Sequence, residues 1–287
     1  MDVSIIIVTK NTGGNFKLLL QSIFSQEFSG GYEVLVIDSS SGDDTIDTAQ
    51  QFPVNLTQIS PGEFHHGKTR NLGAQLSDRE ILIYITQDAL PLGNNWLQKL
   101  VDNFEDPGVA MVCGRQIPWE TTKPPEKFFY LYNFPQFRIR VASGASDYYH
   151  DNIFISNVNS AIRKDVWERF KFSEAVIMAE DKEFAKRILA DGWAIIYEPE
   201  AAVYHAHDFS LWSAFRRSAD FGVALSQGAG GLPRSKNWVL RRLKYPLEEA
   251  RYIVANKGWW KWLPYSIAYE PCKQLGIVVG WVKGRFA

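Results

Sequence analysis

The chain has 287 residues, 46% hydrophobic and 22% charged, a size and balance that suit one globular core plus an appendage. Its two cysteines, Cys113 and Cys272, stand far apart without CxxC or Cys/His spacing, which argues against a disulfide framework or a zinc site and suits a reducing compartment. The net charge of −1 hides an asymmetry: residues 232–287 carry 11 Lys/Arg against 3 Asp/Glu, and residues 1–231 carry 20 against 29. The basic part contains no recognisable nucleic-acid module, so no nucleic-acid partner is expected. No apolar run approaches the ~18 residues of a membrane span. The N-terminus lacks a basic-then-apolar leader pattern, and the expected location is cytoplasmic.

Val3–Thr9 (VSIIIVT) is a continuous apolar run, the pattern of a parallel strand covered on both faces. Residues 15–25 place Phe16, Leu19, Leu20, Ile23 and Phe24 at helical spacing. Residues 33–38 (EVLVID) read as a second buried strand, 44–51 as a short helix, 54–59 as a weaker strand and 68–76 as a helix. Residues 80–86 (EILIYIT) form a third strong strand and 94–104 another helix. This alternation predicts a parallel α/β sheet. Residues 116–152 mix Pro118, Pro124, Pro125 and Pro135 with many aromatic rings, and are expected to be a long, mobile aromatic loop. Strands near 158–163 and 194–197 and helices at 181–191 and 211–224 follow. The tail from about 235 mixes basic residues with Trp259, Trp260, Trp262 and Trp281, in helical segments interrupted by Pro246, Pro264 and Pro271.

Ligands of open parallel sheets gather at the carboxyl ends of the strands. Here those ends read Thr9-Lys10-Asn11, Asp38 through Asp44, and Gln87-Asp88. Thr9 and its neighbours are placed to meet a base or ribose. Asp38 either accepts from a pyrimidine N–H or forms the turn. Asp88 either holds Mg²⁺ or Mn²⁺, hard cations that prefer oxygen ligands, or is a turn residue. No GxxxxGK[ST] or GxGxxG loop occurs, which removes the main support for ATPase and dinucleotide oxidoreductase readings. Lys68 and Arg70, in GKTRNLG at a loop-to-helix junction, offer an anion site or a solvated basic turn. Asp181, behind Glu180 at a helix start, is a candidate general base or a structural first-turn acid. Of His205 and His207, one imidazole is a candidate to complete a metal shell opposite Asp88. Trp119 and the aromatic stretch form a candidate acceptor wall.

Taken in order, seven segments resemble the inverting glycosyltransferases of family 2. They are IIIVTKN (5–11), VIDSSSGDDT (36–45), HGKTRNLGA (66–74), YITQDALP (84–91), NSAIRKDVWE (159–168), AEDKEFAKRIL (179–189) and VYHAHDFS (203–210). The versions FHHGKTRN, TQDA and HAHDFS look most like bacterial rhamnosyltransferases of polysaccharide assembly. The resemblance implies a GT-A type (Rossmann-like) α/β fold over 1–225, with a mostly parallel sheet flanked by helices, and a basic, Trp-rich helical extension over 226–287. It implies that Thr9, Asn11, Asp38 and Arg70 hold a nucleotide diphosphate-sugar, with dTDP-rhamnose the expected donor; Lys68, from the anion-site reading, and Gln87, at the strand tip, are expected to join them. Asp88 and His205 would hold Mg²⁺ or Mn²⁺, Asp181 would be the base, and Glu180, His207 and Trp119 would serve the acceptor or assist. The acceptor would be a glycan or lipid-linked glycan, met at a membrane surface through the tail. The chain departs from the family where Thr86-Gln87-Asp88 replaces Asp-x-Asp, leaving one carboxylate. The competing readings are a sugar nucleotidyltransferase, which lacks its Gly-rich, Arg-containing loop here, and a non-catalytic carbohydrate-binding or scaffold protein on a degenerate transferase fold.

Overall fold

The computed structural model describes residues 1–142, 154–228, 236–256 and 258–286. The last part of the aromatic stretch, 143–152, and the residues leading into the tail, 229–235, lie outside that set. Among the described residues nine strands form one sheet: β1 (Val3–Thr9), β2 (Tyr32–Asp38), β3 (Asn55–Gln58), β4 (Ile81–Thr86), β5 (Leu90–Pro91), β6 (Val109–Ile117), β7 (Ile139–Val141), β8 (Asn159–Arg163) and β9 (Ala194–Tyr204). Their order is β3-β2-β1-β4-β8-β6-β9-β5, with β7 also paired to β9.

The first four strands run parallel, and β1, β2 and β4 are the continuous apolar runs, buried on both faces, that such pairing favours. On one face Val3, Ile5 and Ile7 pack with Phe16, Leu19, Leu20 and Ile23 of the helix Asn15–Phe24 and with Trp96 and Leu100. On the other, Ile6, Leu82 and Tyr84 meet Trp167, Phe172, Phe184 and Ile188. Each such side chain contributes about 1.5–3 kcal/mol of burial. The second half of the sheet is mixed. Strand β8 runs antiparallel to both β4 and β6, which restores the direction of β4 in β6 and, through parallel pairing, in β9.

This reversal positions the site. The carboxyl ends of β1, β2, β4 and β9 and the amino end of β8 all reach the same edge of the sheet. Strand β9 continues past Tyr197, through Pro199, to Tyr204; the ladder with β6 breaks between Gly114 and Gln116, where a proline with no N–H can be absorbed. Only glycine fits at 114, because a Cβ there would collide with the Ala201 carbonyl and the Asn159 amide.

Two expectations are corrected. The aromatic stretch is not all loop: Pro124–Asn133 is a helix, and Pro124 and Pro125 sit in its first turn, where a missing N–H costs nothing. Nor do the tail prolines interrupt its helices, which run Lys236–Val254 through Pro246 and Trp259–Phe286 through Pro264 and Pro271. Tertiary packing overrides the local preference. The 259–286 helix lies along the helix Leu211–Ser226 at backbone contact, and a Cβ on Gly280 would run into the Ala219 carbonyl. Tyr265 Oη also donates to the Phe209 carbonyl at 2.7 Å. Among the described residues, no helix is long and apolar enough to cross a membrane.

Candidate functional site

Between the site edge of the sheet and the tail helices lies a cavity of about 1110 Å³, above the usual 300–1,000 Å³ of a single small-ligand pocket. A second cavity of about 330 Å³ lies toward the tips of β1 and β4. The two share His66, Arg70, Thr86, Asp88, Asn157 and Arg217 as walls.

Asp88 follows β4, and His205 and His207 follow β9; their ligating atoms all lie within 4.8 Å of one another. His205 Nε2 stands 3.6 Å and His207 Nε2 3.7 Å from Asp88 Oδ2. His205 is buried, with Nδ1 2.9 Å from Gln116 Oε1. An amide oxygen only accepts, so Nδ1 donates to it and Nε2 is the ring nitrogen turned toward the carboxylate. Burial, the neighbouring His205 and Arg217 hold His207 at a pKa of about 4, hence neutral, against the pull of Asp88. Burial alone would raise the Asp88 carboxyl, but the hydrogen bond and charge of His205, with His207 and the Thr86 hydroxyl, outweigh it and hold it below the usual carboxylate range. Two imidazoles and one carboxylate, with ligating atoms this close, are a fitting donor set for a divalent cation.

Asp181 lies on the first turn of the helix Glu180–Ala190, where its Oδ2 accepts from the Asn157 N–H at 3.1 Å. Burial first, and the charge of Glu180 second, raise its pKa. The residue before the helix, Ala179, has φ 63°, a left-handed conformation that costs a non-glycine residue about 1–3 kcal/mol and is found mostly at working sites. Arg70 Nη1 meets Oε1 of buried Glu180 at 2.7 Å in a part-buried ion pair. One buried polar atom at the shared wall, Asn157 Nδ2, has no hydrogen-bond partner among the described residues. Unmet donors beside a cavity await a ligand.

Thr9 and Gln87 line the smaller cavity. Gln87 spans to β1, accepting from Lys10 N at 2.7 Å and donating to Lys10 O at 3.1 Å. Asp38 is fully buried, its carboxylate taken up by Thr9 Oγ1, Ser41 N and Ser41 Oγ at 2.6–2.8 Å. Asn11, at φ 47°, accepts from Gly42 N through Oδ1 and so ties the first loop to the second. Asp38 and Asn11 thus shape the nucleotide side without lining either cavity. Lys68 is exposed and outside both cavities, and Trp119 stacks on Tyr204 at 5.1 Å, also outside.

Sequence reasoning missed Arg217, Asn157, Gln116 and Tyr130. Arg217, on the 211–226 helix, lines both cavities and packs over the Phe209 ring. Its only signal was a basic residue two turns after HAHDFS. Gln116, 89 positions before His205, carried none.

The family model described as glycosyl transferase family 2 matches residues 4–170. The O-antigen chain rhamnosyltransferase WbaN of Salmonella anatum is 30% identical over 86% of this chain and 92% of its own length. The O-antigen chain rhamnosyltransferase RfbN of Salmonella typhimurium is 29% identical over 94% of this chain and 99% of its own. Among solved structures, a mannosyltransferase from Pyrobaculum calidifontis, in complex with GDP-Man and Mn²⁺, superposes with a TM-score of 0.64 at 19% identity, covering 98% of this chain and 86% of that one. The sheet, its order of motifs and these matches agree, and the chain belongs to glycosyl transferase family 2, a glycosyltransferase of GT-A fold.

Proposed function

We propose that the enzyme moves rhamnose, with inversion, from dTDP-rhamnose to a hydroxyl of a glycan or lipid-linked glycan during surface polysaccharide assembly. The observation that carries the mechanism is that Asp181 and the Asp88, His205, His207 cluster wall one cavity. The donor and acceptor classes draw on the relatives named O-antigen chain rhamnosyltransferases.

In this reading the base and ribose occupy the smaller cavity beside Thr9 and Gln87, and the diphosphate crosses the shared wall. Asp181 takes the proton of the acceptor hydroxyl as its oxygen attacks the anomeric carbon. The bond from that carbon to the diphosphate oxygen breaks on the opposite face, so a single displacement inverts the configuration. A raised Asp181 pKa suits this role, because a base works best with a pKa near the working pH. The guanidinium groups of Arg70 and Arg217 and the free amide of Asn157 take up charge on the leaving group. Asp88, His205 and His207 would hold Mn²⁺ or Mg²⁺, which when bound supplies Lewis-acid neutralisation of the diphosphate.

The test is nucleoside diphosphate release from dTDP-rhamnose, UDP-glucose, UDP-galactose and GDP-mannose, each with Mn²⁺. Release is expected to be fastest from dTDP-rhamnose. Preference for a UDP or GDP sugar would overturn the donor assignment.

The tail supports contact with an anionic membrane surface. Trp260, Ile267, Leu275, Val278 and Phe286 of the 259–286 helix are exposed, beside Lys261, Lys283 and Arg285. Apolar side chains edged by basic ones favour such an interface. Co-sedimentation with phosphatidylglycerol vesicles, absent with phosphatidylcholine alone, is expected; equal recovery with both would remove the claim.

A further inference from the structure

The larger cavity continues well beyond the groups the reaction uses. Away from the wall shared with the nucleotide side it is lined by Glu126, Tyr245, Glu249, Ser266, Tyr269 and Glu270. None of these lies in the strand tips that form the reacting centre. Glu126 comes from the 124–133 helix and the others from the two tail helices. Glu249 is 2% exposed; Ser266 Oγ donates to its Oε2 at 2.7 Å, and its Oε1 has no partner among the described residues. Tyr245 Oη is likewise buried without a partner. Tyr269 Oη donates to Glu126 Oε1, and Lys273 is paired with Glu270 at 2.7 Å.

A buried carboxylate oxygen and a buried phenol, both unmet, carry a desolvation cost that a ligand's hydrogen bonds would remove. Burial also raises Glu249 to a pKa of about 7, as an unsatisfied carboxyl beside a cavity should be. Tyr132 packs edge-on against Tyr245 at 5.1 Å, and both rings line the cavity, with Phe128 behind Tyr245 at 5.2 Å. Carboxylates, phenols and ring faces together match a pyranose, whose hydroxyls both donate and accept and whose C–H faces are apolar. Anions are disfavoured, because Glu126, Glu249 and Glu270 gather here while Lys273 is already paired with Glu270.

We propose that Glu249 and Tyr245, with Glu126 behind them, form a subsite for a neutral sugar ring of the acceptor glycan. This rests on the transferase reading above. It adds that the tail helices, beyond the residues matched by the family model, contact the acceptor. Tyr130 joins the two ends: it lines the cavity, reaches His205 Nδ1 at 3.5 Å, and is acted on electrostatically by both Glu126 and Asp88.

The test needs neither donor nor turnover. Saturation-transfer NMR on the full chain would use p-nitrophenyl glycosides of galactose, mannose, glucose, rhamnose and N-acetylglucosamine, with p-nitrophenyl glucuronide as the charged comparison. At least one neutral glycoside is expected to bind, and at least tenfold better than the glucuronide. Glu249→Gln and Tyr245→Phe are each expected to weaken that binding by about tenfold, roughly one charged or neutral hydrogen bond. Melting curves on both variants confirm that the fold persists. Binding by the wild type that neither variant changes, preference for the glucuronide, or no binding of any neutral glycoside would each overturn the subsite. Glycoside binding by a chain that releases no nucleotide from any donor would support the subsite and fault the catalytic reading instead.

Discussion

Arg70 and Glu180, 110 positions apart, form an ion pair at 2.7 Å in which Glu180 is buried and Arg70 partly so. The pair stitches the HGKTRNLGA segment to the AEDKEF segment, at the first turn that carries Asp181. Glu180→Ala removes a charged hydrogen-bond partner of a partly buried guanidinium and is expected to cost about 1–3 kcal/mol in denaturant unfolding. Glu180→Gln keeps an acceptor and is expected to cost less. It also removes a charge that raises the Asp181 pKa, so the acid limb of kcat/KM should move to lower pH. A limb that stays put or moves up would separate Glu180 from the base.

Asp181→Asn is expected to lower transfer by about 10²–10⁴-fold, the usual contribution of a general base. Stability should respond in the opposite sense. A carboxyl with a raised folded pKa favours the fold below its unfolded pKa and loses that contribution as pH rises through the folded one. Ionised Asp181 is therefore a burden at neutral pH, and the Asn variant should melt at the same temperature or higher at pH 7. A variant that loses activity and also melts lower would point to a structural role.

Gln116 acts on the cation site through His205. Gln116→Leu removes the acceptor that fixes the imidazole tautomer, and Mn²⁺ affinity is expected to fall about 10–100-fold. EDTA should abolish turnover and added Mn²⁺ restore it, with the restoring concentration raised in the variant. An unchanged Mn²⁺ titration would show that the ring is held by packing alone.

Gly280→Val places a branched side chain against the Ala219 carbonyl, between two helices at backbone contact. A cost of about 1–3 kcal/mol or more is expected, read as a lower melting temperature and faster proteolysis after residue 228. A variant as resistant as the wild type would mean that the helix pair can slide.

The parallel half of the sheet was legible because β1, β2 and β4 are apolar runs too long and continuous to sit anywhere but between two helical layers. Polar strand tips pointed to Asp88 and the histidines, whose ligating atoms lie within 4.8 Å of one another, and a helix start pointed to Asp181, which lines the same cavity. What stayed hidden was set by distance along the chain or by tertiary override. Gln116 meets His205 only because β6 pairs with β9. Strand β6 itself was passed over, although VAMVCGRQI is as apolar as its neighbours. Pro124 read as a breaker because its place at the first turn depends on where the helix starts. Pro264 and Pro271 misled for another reason: a long packed interface outweighs one missing hydrogen bond at each.

Lys10, Thr9 and Asn11 on the first loop are already bonded to Ser39, Asp38 and Gly42 on the second, and Gln87 clasps the Lys10 peptide from the fourth strand. In the proposed binding mode the base side of the pocket is thus assembled before any ligand arrives. Little chain ordering remains to be done on binding, so affinity for a bare nucleoside should depend on contact rather than on induced closure. Any slow, ligand-gated rearrangement must then originate on the opposite side, among the helices that face the acceptor.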